Sequence, residues 1–261
     1  MSKWLTEQDV EDAALRYFRE LGYEYVHGGE IAPDGERPER ETFAEVLLIG
    51  RLKDAVARLN PGIPVDALAE AIRRVRRLDA PSLVGNNEAF HDLLVQGVTV
   101  EIAGPTGEPV YPCIKLVDFE HPEKNEFLAV NQYTVKESKQ ARRPDIVIFV
   151  NGIPIGLFEL KNAGSENAGI DEAYQQIQTY KLADNIPTLF HYNEVLVTSD
   201  GISARIGSVT AGKERFARWR TIEGEGEART SDLELEVLVK GVFEKRRFLE
   251  LLRSFLPFRQ A

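Results

Sequence analysis

The chain has 261 residues, of which 43% are hydrophobic and 28% charged, an ordinary composition for a soluble globular protein with one sizeable core. Its single cysteine, Cys113, excludes an internal disulfide framework and a zinc site built from cysteines. The net charge of −10 argues against an autonomous nucleic-acid-binding protein, since such proteins are mostly basic. No apolar run approaches the roughly 20 residues of a membrane span, and no signal peptide is recognisable, so we expect a cytoplasmic protein without a membrane partner.

The N-terminal region predicts mainly helices. Thr6 is a suitable N-cap, an apolar stripe with a 3.6-residue period follows it, and Gly22 is a typical helix end. Proline residues separate the later apolar stripes of this region. Helices are therefore predicted over residues 6–21, 42–59, 65–78 and 87–96, with a short strand over residues 23–27.

From residue 98 onward the pattern is typical of strands. Short β-branched runs alternate with turn residues, one helical stretch interrupts them, and two amphipathic stretches end the chain. Strands are predicted over residues 98–103, 110–119, 127–135, 189–192 and 195–198, and helices over residues 169–182, 233–243 and 245–255.

The stretch from residue 142 to residue 161 holds two apolar runs separated by Asn151-Gly152, which is a strong signal for a β-hairpin. Three charged residues interrupt these runs: Asp145, Glu159 and Lys161. Charged groups are costly to bury in an apolar strand, so they need a partner or a function. Two carboxylates and an ammonium on one face of a sheet can hold a divalent metal ion and activate a water molecule beside it.

The spacing of these residues predicts an irregular hairpin. Glu159 and Lys161 share a face because they are two positions apart in a strand. A regular hairpin with a two-residue turn would place Asp145 on the opposite face from Glu159. We therefore predict either a three-residue connection with Gly152 at positive φ, or a β-bulge near Gly156.

These residues carry a family resemblance. Pro144-Asp145 and Glu159-Leu160-Lys161 resemble the PD…ExK signature of the restriction-endonuclease-like nuclease superfamily. Their surroundings are more specific, since they resemble the N-terminal endonuclease region of the restriction (R) subunit of type I restriction enzymes. The similar segments are residues 21–23, 131–135, 142–145, 149–152, 159–162 and 199–201, with Gln176 and Tyr180 matching a QxxxY motif of that family.

The resemblance implies an α/β fold: a restriction-endonuclease-like mixed sheet of four or five strands, flanked by helices and carrying helical N- and C-terminal extensions. It divides the chain into an N-terminal helical region over residues 1–97, a nuclease core over residues 98–210 and a helical C-terminal extension over residues 211–261. The last of these would lead toward a motor region outside this sequence.

The implied chemistry is Mg²⁺-dependent hydrolysis of phosphodiester bonds, with Mn²⁺ as a possible substitute. Asp145 and Glu159 are expected to bind the metal ion, joined by a main-chain carbonyl next to Glu159, and Lys161 to orient or activate the attacking water. Gln176 and Tyr180 lie four positions apart on one helix face and are expected to position a phosphate or a carboxylate.

Five further residues are candidate parts of the site. Glu11 matches a first-helix glutamate that approaches the metal in related nucleases, and an ordinary solvated helix charge is the alternative. Four basic residues precede Asp145 and are candidate phosphate contacts, with solvated loop charges as the alternative. They are Lys136, Lys139, Arg142 and Arg143.

By the same resemblance, the substrate is duplex DNA, which is cut after translocation by a motor that this sequence lacks. The partners would be the modification (methyltransferase) and specificity subunits. Residues 207–214 are close to a phosphate-binding P-loop, but Glu214 replaces the Ser or Thr that binds Mg²⁺. ATP is therefore expected to bind only elsewhere in the full-length enzyme.

Two alternatives to this restriction nuclease stay open. One is a free-standing, repair-type nuclease of the same superfamily, which would bind DNA by itself in a salt-sensitive manner. The other is a catalytically silent assembly module, in which Asp145, Glu159 and Lys161 form a buried ion-paired cluster with a structural role.

Overall fold

The computed structural model of the chain describes residues 6–162, 169–224, 226–229 and 231–254. Its α-helices are α1 (Glu7–Glu20), α2 (Ile49–Leu59), α3 (Val65–Arg76), α4 (Leu83–Gln96), α5 (Gly169–Tyr180), α6 (Glu234–Val242) and α7 (Lys245–Ser254). Its strands are β1 (Glu24–His27), β2 (Val98–Thr99), β3 (Ile102–Ala103), β4 (Pro109–Val110), β5 (Cys113–Ile114), β6 (Phe127–Asn131), β7 (Val135–Lys136), β8 (Ala141–Arg142), β9 (Ile146–Val150), β10 (Ile153–Leu160), β11 (Val195–Ser199) and β12 (Ala204–Gly207). Three short 3₁₀ helices cover Pro122–Lys124, Pro187–His191 and Lys213–Arg215.

A six-stranded mixed sheet in the order β1-β6-β9-β10-β11-β12 forms the centre of the molecule. β1 runs parallel to β6 and β10 runs parallel to β11, whereas the other neighbours are antiparallel. The four inner strands are buried along their whole length, which explains why they read as nearly continuous apolar runs. The predicted mixed α/β fold is confirmed. The predicted number of strands was too low because β1 and β12 both pair at the edges of the sheet.

Aromatic residues join the two ends of the chain to the sheet. Phe18 on α1 makes edge-to-face contacts with Tyr23, with Phe158 on β10 and with Phe243 at the end of α6. All of these rings are buried, and aromatic pairs of this geometry stabilise a fold beyond the area that they bury. α5 packs against β10 and β11. The first helix and the late helices therefore hold the strand that carries Glu159.

The first helix begins where the sequence predicts. The Thr6 hydroxyl accepts a hydrogen bond from the Asp9 amide at 3.1 Å, and the Asp9 carboxylate accepts one from the Thr6 amide at 2.8 Å. This reciprocal capping box satisfies backbone donors that a helix start otherwise leaves unpaired. Gly22, at a φ of 75°, follows the end of the helix.

Several local predictions were wrong because tertiary contacts outweigh local propensity. The helix predicted over residues 42–59 begins only at Ile49, since the Leu48 amide donates to the Gly152 carbonyl at 2.9 Å and the Phe43 carbonyl accepts from Lys136. The strand predicted over residues 189–192 is part of a 3₁₀ helix that starts at a proline. The strands predicted between residues 98 and 119 form two-stranded ribbons outside the central sheet.

The proposed boundaries after residues 97 and 210 remain predictions. β1, from the N-terminal segment, pairs with β6 of the central sheet, so this segment contributes a strand as well as helices. Within the described part of the chain, no helix combines the length and the apolar character needed to cross a bilayer.

Candidate active site

The hairpin of β9 and β10 turns through two residues. Asn151 and Gly152 have φ values of 52° and 78°, as a tight turn that matches the twist of its strands requires. A Cβ atom on Gly152 would lie 2.5 Å from the Leu48 carbonyl oxygen, so this position needs glycine for space as well as for φ. The prediction of a positive φ at Gly152 is confirmed, and that of a three-residue connection was wrong.

A β-bulge interrupts the hairpin close to the turn. Pro154 lies opposite Phe149, but Gly156 lies opposite Ile148, so Ile155 is an extra residue without a partner on β9. The bulge predicted near Gly156 is confirmed. It changes the register of every later pair by one residue, which moves side chains from one face of the sheet to the other.

This change of register brings the two carboxylates together. Beyond the bulge Phe158 pairs with Ile146, so the next position along the ladder places Asp145 across from Glu159. If the pairing at the turn continued without the bulge, Asp145 would instead lie opposite Phe158. The bulge alone therefore sets Asp145 across from Glu159.

Glu159 is the most deeply buried charged residue of this site, with a side chain that is 0% exposed. Its Oε1 atom lies 3.0 Å from Lys161 Nζ, whereas its Oε2 atom has no hydrogen-bond partner among the described residues. Burial, and then the charge of Asp145, raise the pKa of Glu159 to about 8, against the opposing effects of Lys161 and Tyr180. An unpaired buried oxygen beside a second carboxylate is the environment that a divalent cation would stabilise.

Asp145 lies at the start of β9, and the backbone of β10 holds its side chain. Its Oδ2 atom accepts a hydrogen bond from the Leu160 amide at 2.6 Å. Burial raises the pKa of Asp145 to about 6; the Leu160 amide and Lys161 oppose this rise, and the charges of Glu11 and Glu7 add to it. The site therefore concentrates negative charge at the ends of two neighbouring strands.

Lys161 supplies the positive charge of the site. Its Nζ atom lies 3.0 Å from Glu159 Oε1, 3.1 Å from the Leu160 carbonyl oxygen and 4.0 Å from Glu7 Oε1. Burial acts to lower the pKa of Lys161, but the charge and hydrogen bond of Glu159, together with the charges of Asp145 and Glu7, outweigh it and raise the pKa. Lys161 is therefore an ammonium at neutral pH, with its N–H groups directed at carboxylate and carbonyl oxygens.

The helix that follows β10 brings the QxxxY pair to the site. Gln176 Nε2 donates to the Tyr180 hydroxyl oxygen at 2.5 Å, one turn apart on α5. Tyr180 is 4% exposed, and its pKa is raised first by burial and then by the charge of Glu159. The hydroxyl is thus close enough to Glu159 for each group to affect the ionisation of the other.

Glu11 is buried rather than solvated. It is 4% exposed, and its two carboxylate oxygens accept hydrogen bonds from Asn131 Nδ2, at 2.7 Å, and from Gln132 Nε2. Its charge contributes to the raised pKa of Asp145, which places it in the electrostatic environment of the site. No role was predicted for Asn131 and Gln132 from the sequence. Their only signal there was their position in a segment that resembles the family.

The four basic residues lie on and beside the hairpin of β7 and β8, which immediately precedes Asp145. Lys136, Lys139 and Arg143 are exposed, and Arg142 is half-buried, with its Nε atom donating to Asn185 Oδ1 at 2.5 Å. The structure thus leaves three of the four free to meet a ligand at the surface and uses the fourth to dock the hairpin.

The donor atoms of the site suit a hard metal ion. In the described ranges no group of three or more His, Cys, Asp or Glu side chains is close enough to hold a metal ion. Asp145 and Glu159 supply two carboxylates, and the Leu160 carbonyl lies next to them. Oxygen ligands of this kind, completed by water, are those that Mg²⁺ and Mn²⁺ prefer.

Comparison with known proteins shows to which family the chain is related. The family described as "Type I restriction enzyme R protein N terminus" matches residues 5–215. The chain belongs to this family. The type I restriction enzyme HindI endonuclease subunit of Haemophilus influenzae is 37% identical over 257 residues, which are 97% of this chain and 24% of that protein. A Methanocaldococcus jannaschii protein, provisionally named the type I restriction enzyme MjaIXP endonuclease subunit, is 34% identical over 95% of this chain and 25% of its own length.

The match to the R protein N terminus includes every residue of the candidate site, from Glu11 to Tyr180. The helices α6 and α7 lie beyond it. The chain spans about a quarter of the length of these relatives.

Proposed function

We propose that this chain is the nuclease region of a type I restriction enzyme and that it hydrolyses phosphodiester bonds of duplex DNA with Mg²⁺, which Mn²⁺ can replace. The observation that carries the proposal is the β-bulge, which sets Asp145 opposite Glu159 while one Glu159 oxygen stays buried and unpaired beside Lys161. The names of the relatives, which are endonuclease subunits, support the same reaction class.

Three groups of the chain would hold the metal ion: the carboxylates of Asp145 and Glu159 and the Leu160 carbonyl. When bound, the ion would supply positive charge that stabilises the phosphoryl oxygens in the transition state. Asp145 is already oriented for this role, because the Leu160 amide fixes one of its oxygens. The second Asp145 oxygen and Glu159 Oε2 would then face the ion.

Lys161 would orient the attacking water rather than deprotonate it. Its pKa is raised, so it carries its proton at neutral pH and can only donate hydrogen bonds. A protonated ammonium beside the metal-binding carboxylates would hold the water in line with the phosphorus atom and stabilise the negative charge that develops there. Gln176 and Tyr180 would position Glu159 or a DNA phosphate from α5.

The exposed basic residues would contact the DNA backbone next to the cleavage site. Lys136 and Lys139 lie on the hairpin of β7 and β8, Arg143 follows it, and Arg142 would support it. A chain with a net charge of −10 would hold DNA poorly by itself. We therefore propose that the duplex is delivered by ATP-driven translocation in the remainder of the R protein, in complex with the modification and specificity subunits, and that this chain binds no ATP.

A silent assembly module fits the site less well. A cluster with a purely structural role would satisfy both oxygens of a buried carboxylate, because an unpaired oxygen destabilises the fold. Glu159 Oε2 has no close donor among the described residues, and the Tyr180 hydroxyl interacts with Glu159 only weakly enough to leave its pKa raised. A free-standing repair nuclease would use the same chemistry, and it would differ by binding DNA tightly as the isolated chain.

The decisive experiment compares Asp145→Ala with Asp118→Ala in the complete restriction complex. Asp118 is also a buried carboxylate, 6% exposed, but its side chain accepts hydrogen bonds from the amides of Glu120 and His121 rather than from β9 or β10. We expect Asp145→Ala to reduce DNA cleavage by about 10²- to 10³-fold, the size of effect typical for loss of a group that stabilises the transition state. We also expect it to remove the rise in melting temperature that Mn²⁺ causes in the isolated chain.

Asp118→Ala should lower stability while it preserves both cleavage and the Mn²⁺ effect. Cleavage by Asp145→Ala at the rate of the unmodified complex would contradict the proposed role of the site.

A further inference from the structure

The bulge in β10 is held from outside the hairpin. The Asn193 side-chain amide donates to the Pro154 carbonyl at 2.6 Å, and the Glu194 backbone amide donates to the Ile155 carbonyl at 2.7 Å. These carbonyls belong to the extra residue of the bulge and to the residue before it. Asn193 and Glu194 are 0% and 2% exposed, so both contacts lie in the interior.

A helix on the other side of this segment fixes Asn193 and Glu194 in turn. Asn87 on α4 donates through Nδ2 to the Asn193 carbonyl at 2.9 Å and to the His191 carbonyl at 3.2 Å. His91, one turn later on the same helix, places its Nδ1 atom 3.0 Å from Glu194 Oε2. We call Asn87, His91, Asn193 and Glu194 the bulge-support network.

Stability alone does not explain this network. Three of its buried oxygens have no hydrogen-bond partner within the described residues: Asn87 Oδ1, Asn193 Oδ1 and Glu194 Oε1. Buried polar atoms without partners destabilise a fold, and well-packed apolar side chains at the same positions would avoid this cost. What the network does provide is two donors for the two carbonyls that define the bulge.

We infer that the bulge-support network consists of positioning residues, which hold the bulge in β10 and thereby keep Asp145 opposite Glu159. Without the donors to Pro154 and Ile155, the regular ladder that starts at the turn would place Asp145 opposite Phe158 and separate the two carboxylates. The effect of losing these donors on metal binding rests on the proposed function. Their effect on the register of the hairpin does not.

The backbone amide of Leu160 reports the register of the hairpin, so it tests this inference without any metal. The Leu160 amide donates to Asp145 Oδ2, so its hydrogen-exchange rate and its ¹⁵N–¹H NMR signal depend on where Asp145 lies. In Asn193→Ala we expect the Leu160 amide to exchange at least about tenfold faster, as for a hydrogen bond weakened by the order of 1.4 kcal/mol. Binding of Mn²⁺, measured by calorimetry on the same chain, should weaken by a similar factor.

Asn60→Ala is the matched control. Asn60 is also a buried asparagine, and it joins α2 to Lys115 through hydrogen bonds with the Lys115 amide and carbonyl, away from the bulge. It should lower the melting temperature without changing Leu160 exchange or Mn²⁺ affinity. Asn87→Ala, which acts one step further from the bulge, serves as the second test variant if Asn193→Ala does not fold.

The outcomes separate this inference from the proposed function. Leu160 exchange that is unchanged in the test variant, or that is accelerated equally in Asn60→Ala, would overturn the positioning role. Failure of the unmodified chain to bind Mn²⁺ would refute the metal site, but the Leu160 measurement would still decide whether the network sets the register.

Discussion

Glu159 shows how the site is prepared at the scale of single residues. Its carboxylate is fully buried, faces Asp145 across the hairpin and has one oxygen without a partner among the described residues. Because the pKa of Glu159 is raised to about 8, its carboxyl group is mostly protonated at neutral pH in the metal-free folded chain. A cation bound there would stabilise the ionised form of Glu159, which connects the stability of the chain to metal and to pH.

We predict that the metal-free chain loses stability as the pH rises from about 5 to about 8.5. The pKa of Glu159 in the folded state is about 8, above its ordinary value of 4.5, so the folded state binds more protons than the unfolded state in this window. The stabilisation that protonated Glu159 contributes is therefore fully present below its unfolded-state pKa of 4.5. It is lost as the pH rises through its folded-state pKa of about 8. The loss should reach a few kcal/mol, since one pKa unit corresponds to about 1.4 kcal/mol. Urea unfolding in the presence of a chelator measures it.

Glu159→Gln is the control for this prediction, because a neutral amide removes the titration and keeps the shape of the side chain. Its stability should vary less with pH, because only the other groups with shifted pKa values, such as Asp145, Glu137 and Glu194, still contribute. A pH dependence in Glu159→Gln as steep as in the unmodified chain would contradict the assignment of the effect to Glu159.

The sequence was informative about some residues of the site and silent about others. Asp145, Glu159 and Lys161 stand out because charged groups interrupt apolar strands, and the structure brings all three together. Asn131 and Gln132 gave no comparable signal. Their partner Glu11 lies on α1, 120 residues before Asn131, and a polar residue at a strand end does not reveal such a distant contact. The catalytic and binding roles of all these residues remain proposals.

At the scale of elements, the hairpin of β9 and β10 has one feature that its own residues specify and one that depends on contacts from elsewhere in the chain. Asn151-Gly152 specifies a two-residue turn by its own conformational preferences, and the sequence predicted the positive φ of Gly152. The bulge depends on donors from Asn193 and Glu194, almost forty residues later, so its existence followed from the spacing of the charges rather than from its own residues. Contacts of the same kind explain why residues 42–48 are not helical.

We predict that Gly152→Ala destabilises the chain more than Gly62→Ala does. Both glycines have positive φ, at 78° and 84°, so both variants incur a conformational cost of about 1 kcal/mol. At Gly152 the new Cβ would also lie 2.5 Å from the Leu48 carbonyl oxygen, whereas nothing lies within 4 Å at Gly62. Chemical denaturation should show an additional loss of at least about 1 kcal/mol for Gly152→Ala. Equal losses would mean that α2 does not constrain the turn.

At the scale of the whole molecule, net charge determines how the chain should interact with DNA. The chain carries a net charge of −10, and three exposed basic residues lie on and beside the hairpin of β7 and β8: Lys136, Lys139 and Arg143. It spans about a quarter of the length of its restriction-enzyme relatives. We therefore expect the isolated chain to bind duplex DNA weakly, and to lose that binding as salt rises.

The most direct test of the central claim is a crystal of the chain soaked in Mn²⁺ and measured at the manganese absorption edge. We predict one anomalous peak between β9 and β10, about 2.1 Å from carboxylate oxygens of both Asp145 and Glu159, with the Leu160 carbonyl as a third ligand. The peak should be absent from crystals of Asp145→Ala. An ion bound elsewhere, or Asp145 and Glu159 side chains pointing to opposite faces of the sheet, would contradict the account.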